Sequence, residues 1–161
     1  MSGGDGADRR LMRRAVETAR RGIRGGQTPF GACVVRDGRV VAAEHNVVWG
    51  TTDVTAHAEI QALRRACREL DTVDLSGCEI YTTCEPCPMC FAACHWARLD
   101  RIVFGARIED AREAGFSELE IPAEEMKRRG ESPVELRGGV EHQACVDLFR
   151  AWKERPDSRP Y

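Results

Sequence analysis

The first half of the chain alternates between helical and strand-like patterns of apolar residues. Apolar positions recur every three or four residues over about 9–24, which predicts an amphipathic helix capped by Asp8. Two short apolar runs follow at 30–35 and 39–44, separated by an Asp-Gly pair at 37–38. Because Asp-Gly favours a tight turn with positive φ angles, these runs are predicted to form a β-hairpin.

The next part of the chain begins with an Ala-rich helix predicted over 55–70, with Asp53 or Thr55 as its cap. The pattern then predicts, in order, a strand at 78–83, a helix ending near 98, a strand at 101–106, a charged helix at 124–129, a strand at 134–136 and a helix at 141–152. Strand, helix and strand at this spacing predict a right-handed crossover in a partly parallel sheet. Ligand sites in such sheets gather at the carboxyl ends of strands.

Composition narrows the class of protein further. The 161 residues suffice for one domain, and we expect a flexible tail at 1–8 followed by a single domain over 9–161. Its 26 acidic and 24 basic side chains give a net charge of -2, which offers no electrostatic case for nucleic acid. No apolar run reaches membrane-spanning length. Without a signal-like N-terminus, the eight cysteines are expected to be reduced thiols of a cytoplasmic protein.

The candidate chemistry lies in two short motifs, an H-x-E sequence and a C-x-x-C sequence. Cys87 and Cys90 can direct two thiolates at one point, and His57 can add an imidazole nitrogen from another helix start. Three protein ligands leave the fourth zinc position for water, as in catalytic sites. Glu59 lies two residues after the histidine, where its carboxylate can hold that water and move its protons.

Each of these motifs alone is compatible with other kinds of site. A C-x-x-C pair alone also fits half of a structural zinc site, a redox pair or two buried cysteines. Both motifs in this order, each at a predicted helix start after a strand, favour a catalytic zinc. Cys84 could be a fourth ligand that closes the site, but we expect it to be buried and away from the metal. A non-enzymatic module stabilised by zinc would have no need of Glu59.

H-x-E followed by P-C-x-x-C is the motif pair of zinc deaminases, and the chain resembles the cytidine deaminase superfamily. The resemblance implies a three-layer α/β/α sandwich around a mixed five-stranded sheet. Within the superfamily the chain is most similar to bacterial guanine deaminases from about Arg9 to Trp152. The similar segments are Pro29-Phe30-Gly31, Asn46, Thr55 to Glu59, Cys84 to Cys90, Trp96-Ala97-Arg98, Glu113 to Phe116, Ala151-Trp152 and the terminal Tyr161. This implies hydrolysis of guanine to xanthine and ammonia with Zn²⁺ as cofactor.

The substrate of such an enzyme is a flat aminated ring, so aromatic and amide side chains are candidates for contacting it. Phe30 and Trp96 could stack on the ring or could equally belong to the core. Asn46 could read a ring edge with its donor and acceptor, although alone it would be a turn residue. The complete set of candidate substrate contacts is Asn46, Phe30, Ala58, Trp96, Glu118 and Tyr161.

The resemblance also implies a homodimer in which the C-terminal segment is exchanged and its aromatic end, with Trp152 and Tyr161, closes the partner's site. The chain departs from the pattern after Phe116, since Glu118 stands where an aspartate is expected and 120–139 matches poorly. Cytosine deaminase remains an alternative, because the tail at 154–156 resembles that branch. A tRNA adenosine deaminase has the same core, but a basic C-terminal helix is missing here.

Overall fold

The structure is a computed structural model, and it describes residues 2–161. Seven helices and five strands follow one another over this range. They are α1 (Ser2–Arg24), β1 (Gly31–Arg36), β2 (Arg39–His45), α2 (Val48–Thr51), α3 (Ala58–Glu69), β3 (Cys78–Cys84), α4 (Pro88–Trp96), β4 (Arg101–Ala106), α5 (Ile108–Glu113), α6 (Ala123–Gly130), β5 (Glu135–Arg137) and α7 (His142–Lys153).

The five strands form one mixed sheet in the order β2-β1-β3-β4-β5. β1 pairs antiparallel with both β2 and β3, while β3, β4 and β5 run parallel. The predicted hairpin turn is present, with positive φ at both Asp37 and Gly38. Two parallel crossovers thus follow one hairpin, which confirms the mixed sheet expected from the sequence.

Alternate residues of each strand enter two separate hydrophobic cores, one on each face of the sheet. On β1, Cys33 and Val35 pack toward α1 and α7, whereas Ala32 and Val34 pack toward α3 and α4. All four side chains are almost fully buried. Helices therefore cover both faces of the sheet, and the predicted three-layer α/β/α sandwich is confirmed.

The start of α1 differs from the prediction, because the helix begins at Ser2 and residues 2–8 belong to it. Asp8 is not a cap but a buried carboxylate, 2% exposed. It accepts hydrogen bonds from Tyr81 at 2.7 Å and from Arg101 at 2.8 Å, and it also pairs with Arg137. This network ties the first turns of α1 to the sheet, so the chain is helical from Ser2 where a tail was expected. Met1 lies outside the described residues.

One edge of the sheet collects the segments that carry the predicted site. The carboxyl end of β3 lies beside the start of β1, and Asn46 N–H donates to the Phe30 carbonyl at 3.1 Å just beyond the hairpin. Gly31 is required there, since a Cβ would lie 2.4 Å from the Ala15 carbonyl of α1. In the described part of the chain, no helix combines the length and apolar character needed to cross a bilayer.

Candidate metal centre and active site

Three predicted metal ligands converge between the starts of α3 and α4. The ligand atoms of His57, Cys87 and Cys90 all lie within 4.8 Å of one another. His57 Nδ1 is 3.7 Å from Cys87 Sγ and 3.5 Å from Cys90 Sγ. The structure thus brings together residues that are 30 and 33 positions apart in sequence.

These distances fit a single tetrahedral zinc ion. Zn–S bonds of about 2.3 Å and Zn–N bonds of about 2.0–2.1 Å at a tetrahedral angle place sulfur and nitrogen about 3.6 Å apart. The two nitrogen–sulfur distances bracket that value. Two thiolates and one imidazole also form a donor set that suits zinc. The three residues therefore fit zinc and leave a fourth coordination position open.

The local fold explains why the two thiols and the imidazole meet. His57 and Cys87 occupy the N-cap positions of α3 and α4, each in an extended conformation, and neither side chain caps its own helix. Pro88 fits the first turn of α4, where its missing N–H costs nothing. The positive ends of both helix dipoles therefore face the cluster and stabilise the thiolates. The predicted cap of α3 at Asp53 or Thr55 is wrong, because these residues hydrogen-bond to each other in the preceding turn.

Glu59 lies in the first turn of α3 and is 6% exposed. It lines an inner cavity of about 20 Å³ together with His57 and Cys87. A cavity of this size has room for about one water molecule. The Thr82 hydroxyl on β3 lies 3.2 Å from Glu59 Oε1 and 3.1 Å from the Cys84 carbonyl, so its one proton is shared between these acceptors and helps to orient the carboxylate. Burial raises the pKa of Glu59, although the neighbouring His57 lowers it.

Cys84 is close to this centre in sequence but does not belong to the ligand cluster. The thiol is 5% exposed and donates to the Arg107 carbonyl at 3.5 Å. Burial raises the pKa of Cys84 well above its usual value, which favours the neutral thiol. Cys84 is therefore a buried side chain that packs beside the site, in agreement with the sequence-based expectation.

A larger cavity of about 300 Å³ opens outward from the metal cluster and suits a small planar ligand. Its walls are mainly apolar, and its lining residues are Val54, His57, Cys87, Pro88, Met89, Phe116, Ser117, Glu118, Leu119 and Tyr161. Burial, followed by the charge of Cys87, raises the pKa of Glu118 to about 7. Phe30 lies at the inner end, with its ring 4.9 Å from that of Phe116.

The C-terminal residue reaches this cavity within its own chain. Asn46 Nδ2 donates to the Tyr161 hydroxyl at 2.6 Å, and Asn46 Oδ1 accepts the Val48 N–H at 3.0 Å. The Tyr161 ring lies 5.7 Å from both His57 and Phe116. Polar contacts and aromatic edges therefore hold the terminal residue at the cavity in this single chain.

The part of the chain that forms this centre matches one family of enzymes. The model for the cytidine and deoxycytidylate deaminase zinc-binding region matches residues 6–106, which include both metal-binding motifs. The chain belongs to this deaminase family. It is accordingly a zinc-dependent aminohydrolase with the cytidine deaminase-like fold.

Three relatives in this family differ in how much of the chain their similarity covers. Guanine deaminase of Bacillus subtilis (strain 168) is 45% identical over 158 residues, covering 94% of this chain and 97% of that protein. The solved structure of guanine deaminase from Nitrosomonas europaea has a TM-score of 0.85 at 32% identity, covering 91% of this chain and 85% of that chain. The tRNA-specific adenosine deaminase of Aquifex aeolicus (strain VF5) is 41% identical over 96 residues, covering 60% of this chain and 64% of that protein.

The side chains of two predicted substrate contacts, Trp96 and Ala58, do not line the cavity. Trp96 does not lie in the cavity of its chain: it is 82% exposed at the last residue of α4, whereas the metal cluster is at the first turn. At 1.5 Å per residue the helix itself separates the two by roughly 10 Å. Ala58 is fully buried at the first residue of α3, so only its backbone is available beside the site.

Two further residues of the site, Thr82 and Glu85, were not predicted from the sequence. Thr82 orients Glu59, and the buried Glu85 accepts the first N–H groups of α5 and α6, at Ile108 and Ala123. Glu85 thereby holds both ends of the segment that carries Glu118. Its position beside the C-x-x-C motif was the one available signal.

Proposed function

We propose that the protein hydrolyses guanine to xanthine and ammonia. The observation that carries this proposal is the similarity to guanine deaminases over 94% of the chain. The alignment is so nearly complete that it must include most of the C-terminal third of the chain. That third supplies Phe116, Glu118 and Tyr161 to the cavity. The similarity to the tRNA deaminase spans only 60% of the chain.

The chemistry of the cavity also suits guanine. A flat purine fits between apolar and aromatic walls, and its polar edges need donors and acceptors. The Glu118 carboxylate can accept from ring and amino N–H groups, while Asn46 Nδ2 has a second proton left to donate. Glu118 lies at the same cavity as the metal ligands, and Asn46 contacts the Tyr161 hydroxyl of the residue that closes it, so the amino-bearing carbon can be turned toward the zinc position.

The proposed reaction divides the work between the metal and one carboxylate. When bound by His57, Cys87 and Cys90, zinc supplies a Lewis acid and a water of lowered pKa as nucleophile. Glu59 takes a proton from the attacking water and delivers it to the adjacent ring nitrogen. It then transfers the second proton to the departing amino group, so that the base becomes a carbonyl compound and ammonia leaves. Thr82 keeps the carboxylate in the orientation that both transfers require.

The first prediction is that guanine is the preferred substrate in a panel scored by ammonia release. The panel compares guanine with cytosine, adenine, guanosine, cytidine and tRNA at equal concentrations. Because the similarity over most of the chain is to guanine deaminases, guanosine is expected to react at least about tenfold more slowly than guanine. Xanthine formation is verified by chromatography. Preference for cytosine, or for tRNA, would replace the proposed substrate while leaving the zinc chemistry in place.

We further propose a cytoplasmic homodimer in which the C-terminal segment is exchanged between subunits. The contacts of Tyr161 with Asn46 occur here within one chain, and the same contacts can form with a partner if the chain between α7 and the tail opens. The proposed cytoplasmic location is supported by the two cysteine ligands, because Cys87 and Cys90 must stay reduced to bind metal.

The second prediction tests this exchange by mixing two variants of low activity. One is truncated after Pro156, which removes Tyr161 and should lower turnover about tenfold or more through the lost hydrogen bond and aromatic wall. The other carries Glu59→Gln with an intact tail. If tails are exchanged, dimers reassembled from equal amounts should regain about a quarter of the wild-type activity, because half of them contain one complete site.

The control for this experiment is each variant reassembled alone, with zinc content and circular dichroism unchanged. If the mixture is no more active than its components, each tail serves its own chain. If truncation leaves guanine turnover normal, the tail has no part in the reaction.

A further inference from the structure

Trp49 contacts the C-terminal tail at two points just before Tyr161. The indole Nε1–H donates to the Arg159 carbonyl at 3.1 Å. The Arg159 guanidinium lies over the same indole, 3.8 Å from the ring centroid. One side chain thus binds the backbone and the side chain of a residue 110 positions away. The edge of the Tyr161 ring also faces it, at a centroid distance of 6.4 Å.

The short helix α2 contains Trp49 and also donates the hydrogen bond that fixes the Asn46 side chain. α2 follows directly after Asn46, and its first N–H, from Val48, is accepted by Asn46 Oδ1. This bond leaves Asn46 Nδ2 directed at the Tyr161 hydroxyl. A further bond, from the Gly50 N–H to Gln27 Oε1 at 3.3 Å, anchors the short helix to the preceding loop. α2 therefore presents two groups to the tail as one rigid unit.

The tail itself has little freedom between its two anchor points. Pro156 and Pro160 restrict the backbone, and the Ser158 N–H donates to the Arg155 carbonyl at 3.2 Å. With Arg159 fixed on the indole, only Pro160 separates the anchor from Tyr161. The position of the Tyr161 ring therefore follows closely from the position of Arg159.

We infer that Trp49 is a positioning residue that latches residues 157–161 over the site and places Tyr161 against Asn46. This inference rests on the proposed deamination for its kinetic consequence but not for the latch itself. A cation–π contact at an exposed site together with one hydrogen bond corresponds to roughly a tenfold change in the equilibrium between closed and open tail. Because closure completes the cavity wall, a loosened tail weakens base binding more than it slows chemistry.

The kinetic test compares Trp49→Ala in the full-length chain with the same change in a chain truncated after Pro156. In the full-length enzyme, KM for guanine should rise roughly tenfold while kcat changes much less. In the truncated chain, Trp49→Ala should add no further loss, because the residue it holds is gone. Trp49→Phe keeps the aromatic face for Arg159 and loses the N–H donor, so it should restore part of the binding.

A second measurement is independent of any substrate. Amide hydrogen exchange of residues 157–161 should accelerate roughly tenfold in Trp49→Ala and in Arg159→Ala. Arg20→Ala, which removes an exposed arginine from α1, serves as the matched control and should leave that exchange unchanged. Unchanged exchange in the Trp49 variant, or an equal kinetic loss in the truncated chain, would overturn the latch. If guanine is not turned over but exchange accelerates, the latch stands and the proposed substrate does not.

Discussion

Replacing Glu59 by glutamine is expected to lower kcat for guanine by at least about a hundredfold, the usual effect of losing a general acid–base group. The substitution keeps the size of the side chain and a hydrogen-bond acceptor for the Thr82 hydroxyl, which lies 3.2 Å from Glu59 Oε1. It removes the ability to carry a proton. Steady-state kinetics with ammonia detection measure the effect, and the zinc content should remain near one ion per chain.

The matched control for this variant is Thr82→Val, which preserves shape and burial on β3 and removes only the hydroxyl. Because Thr82 orients the carboxylate without transferring a proton, its loss should be smaller than that of Glu59→Gln. Near-normal turnover of the zinc-loaded Glu59→Gln enzyme would refute the proposed proton transfers. A comparable loss of kcat in both variants would indicate that Glu59 and Thr82 act by positioning rather than by proton transfer.

The metal cluster could be predicted from the sequence because helix starts impose its geometry. A C-x-x-C pair places both thiols at the first turn of α4, and His57 stands at the same position of α3. The spacing within each motif and the strand predicted before it were sufficient to predict the metal cluster. The exclusion of Cys84 was also predictable, since Cys87 and Cys90 already use the spacing that suits a metal.

Other features depend on contacts between distant residues, which a local pattern does not reveal. Glycines at 3, 4 and 6 favour a flexible tail by propensity, yet Asp8 and Arg101 join α1 to β4 through a buried ion pair. Trp49 and Arg159 are 110 positions apart in the chain. Trp96 illustrates the same limit, since an aromatic residue near a motif in sequence lies at the far end of the helix.

The short helices α2 and α5 were missed for a related reason. Each has too few residues to show a periodic apolar pattern. α5 is instead stabilised where Glu85 Oε2 accepts its first N–H at 3.3 Å, and the same carboxylate accepts the Ala123 N–H of α6 at 2.8 Å. Glu85 lies beside the zinc motif, and its carboxylate caps both α5 and α6. It thereby links the metal centre to the segment carrying Glu118, and only the folded chain reveals that link.

Replacing Cys87 by alanine is expected to remove zinc almost completely. Loss of a residue that merely supports a ligand typically reduces metal affinity about 10–100-fold, so loss of the ligand itself should exceed about a hundredfold. The remaining pair, Cys90 and His57, leaves two coordination positions to be filled by solvent. Metal analysis after dialysis should find far less than one zinc per chain, and deaminase activity should fall with the metal.

Cys84→Ala is the matched control. It also removes a thiol, but from a residue that lies three positions before Cys87 and outside the ligand cluster. This variant should retain about one zinc per chain and lose stability instead, by about 1 kcal/mol or more for the buried group removed. Chemical denaturation in the zinc-loaded state measures that loss. Full zinc retention by Cys87→Ala would remove it from the ligand set, and zinc loss by Cys84→Ala would make that thiol a ligand. Since the nitrogen–sulfur distances of His57 already match a tetrahedral ion with Cys87 and Cys90, we expect only the first variant to lose its metal.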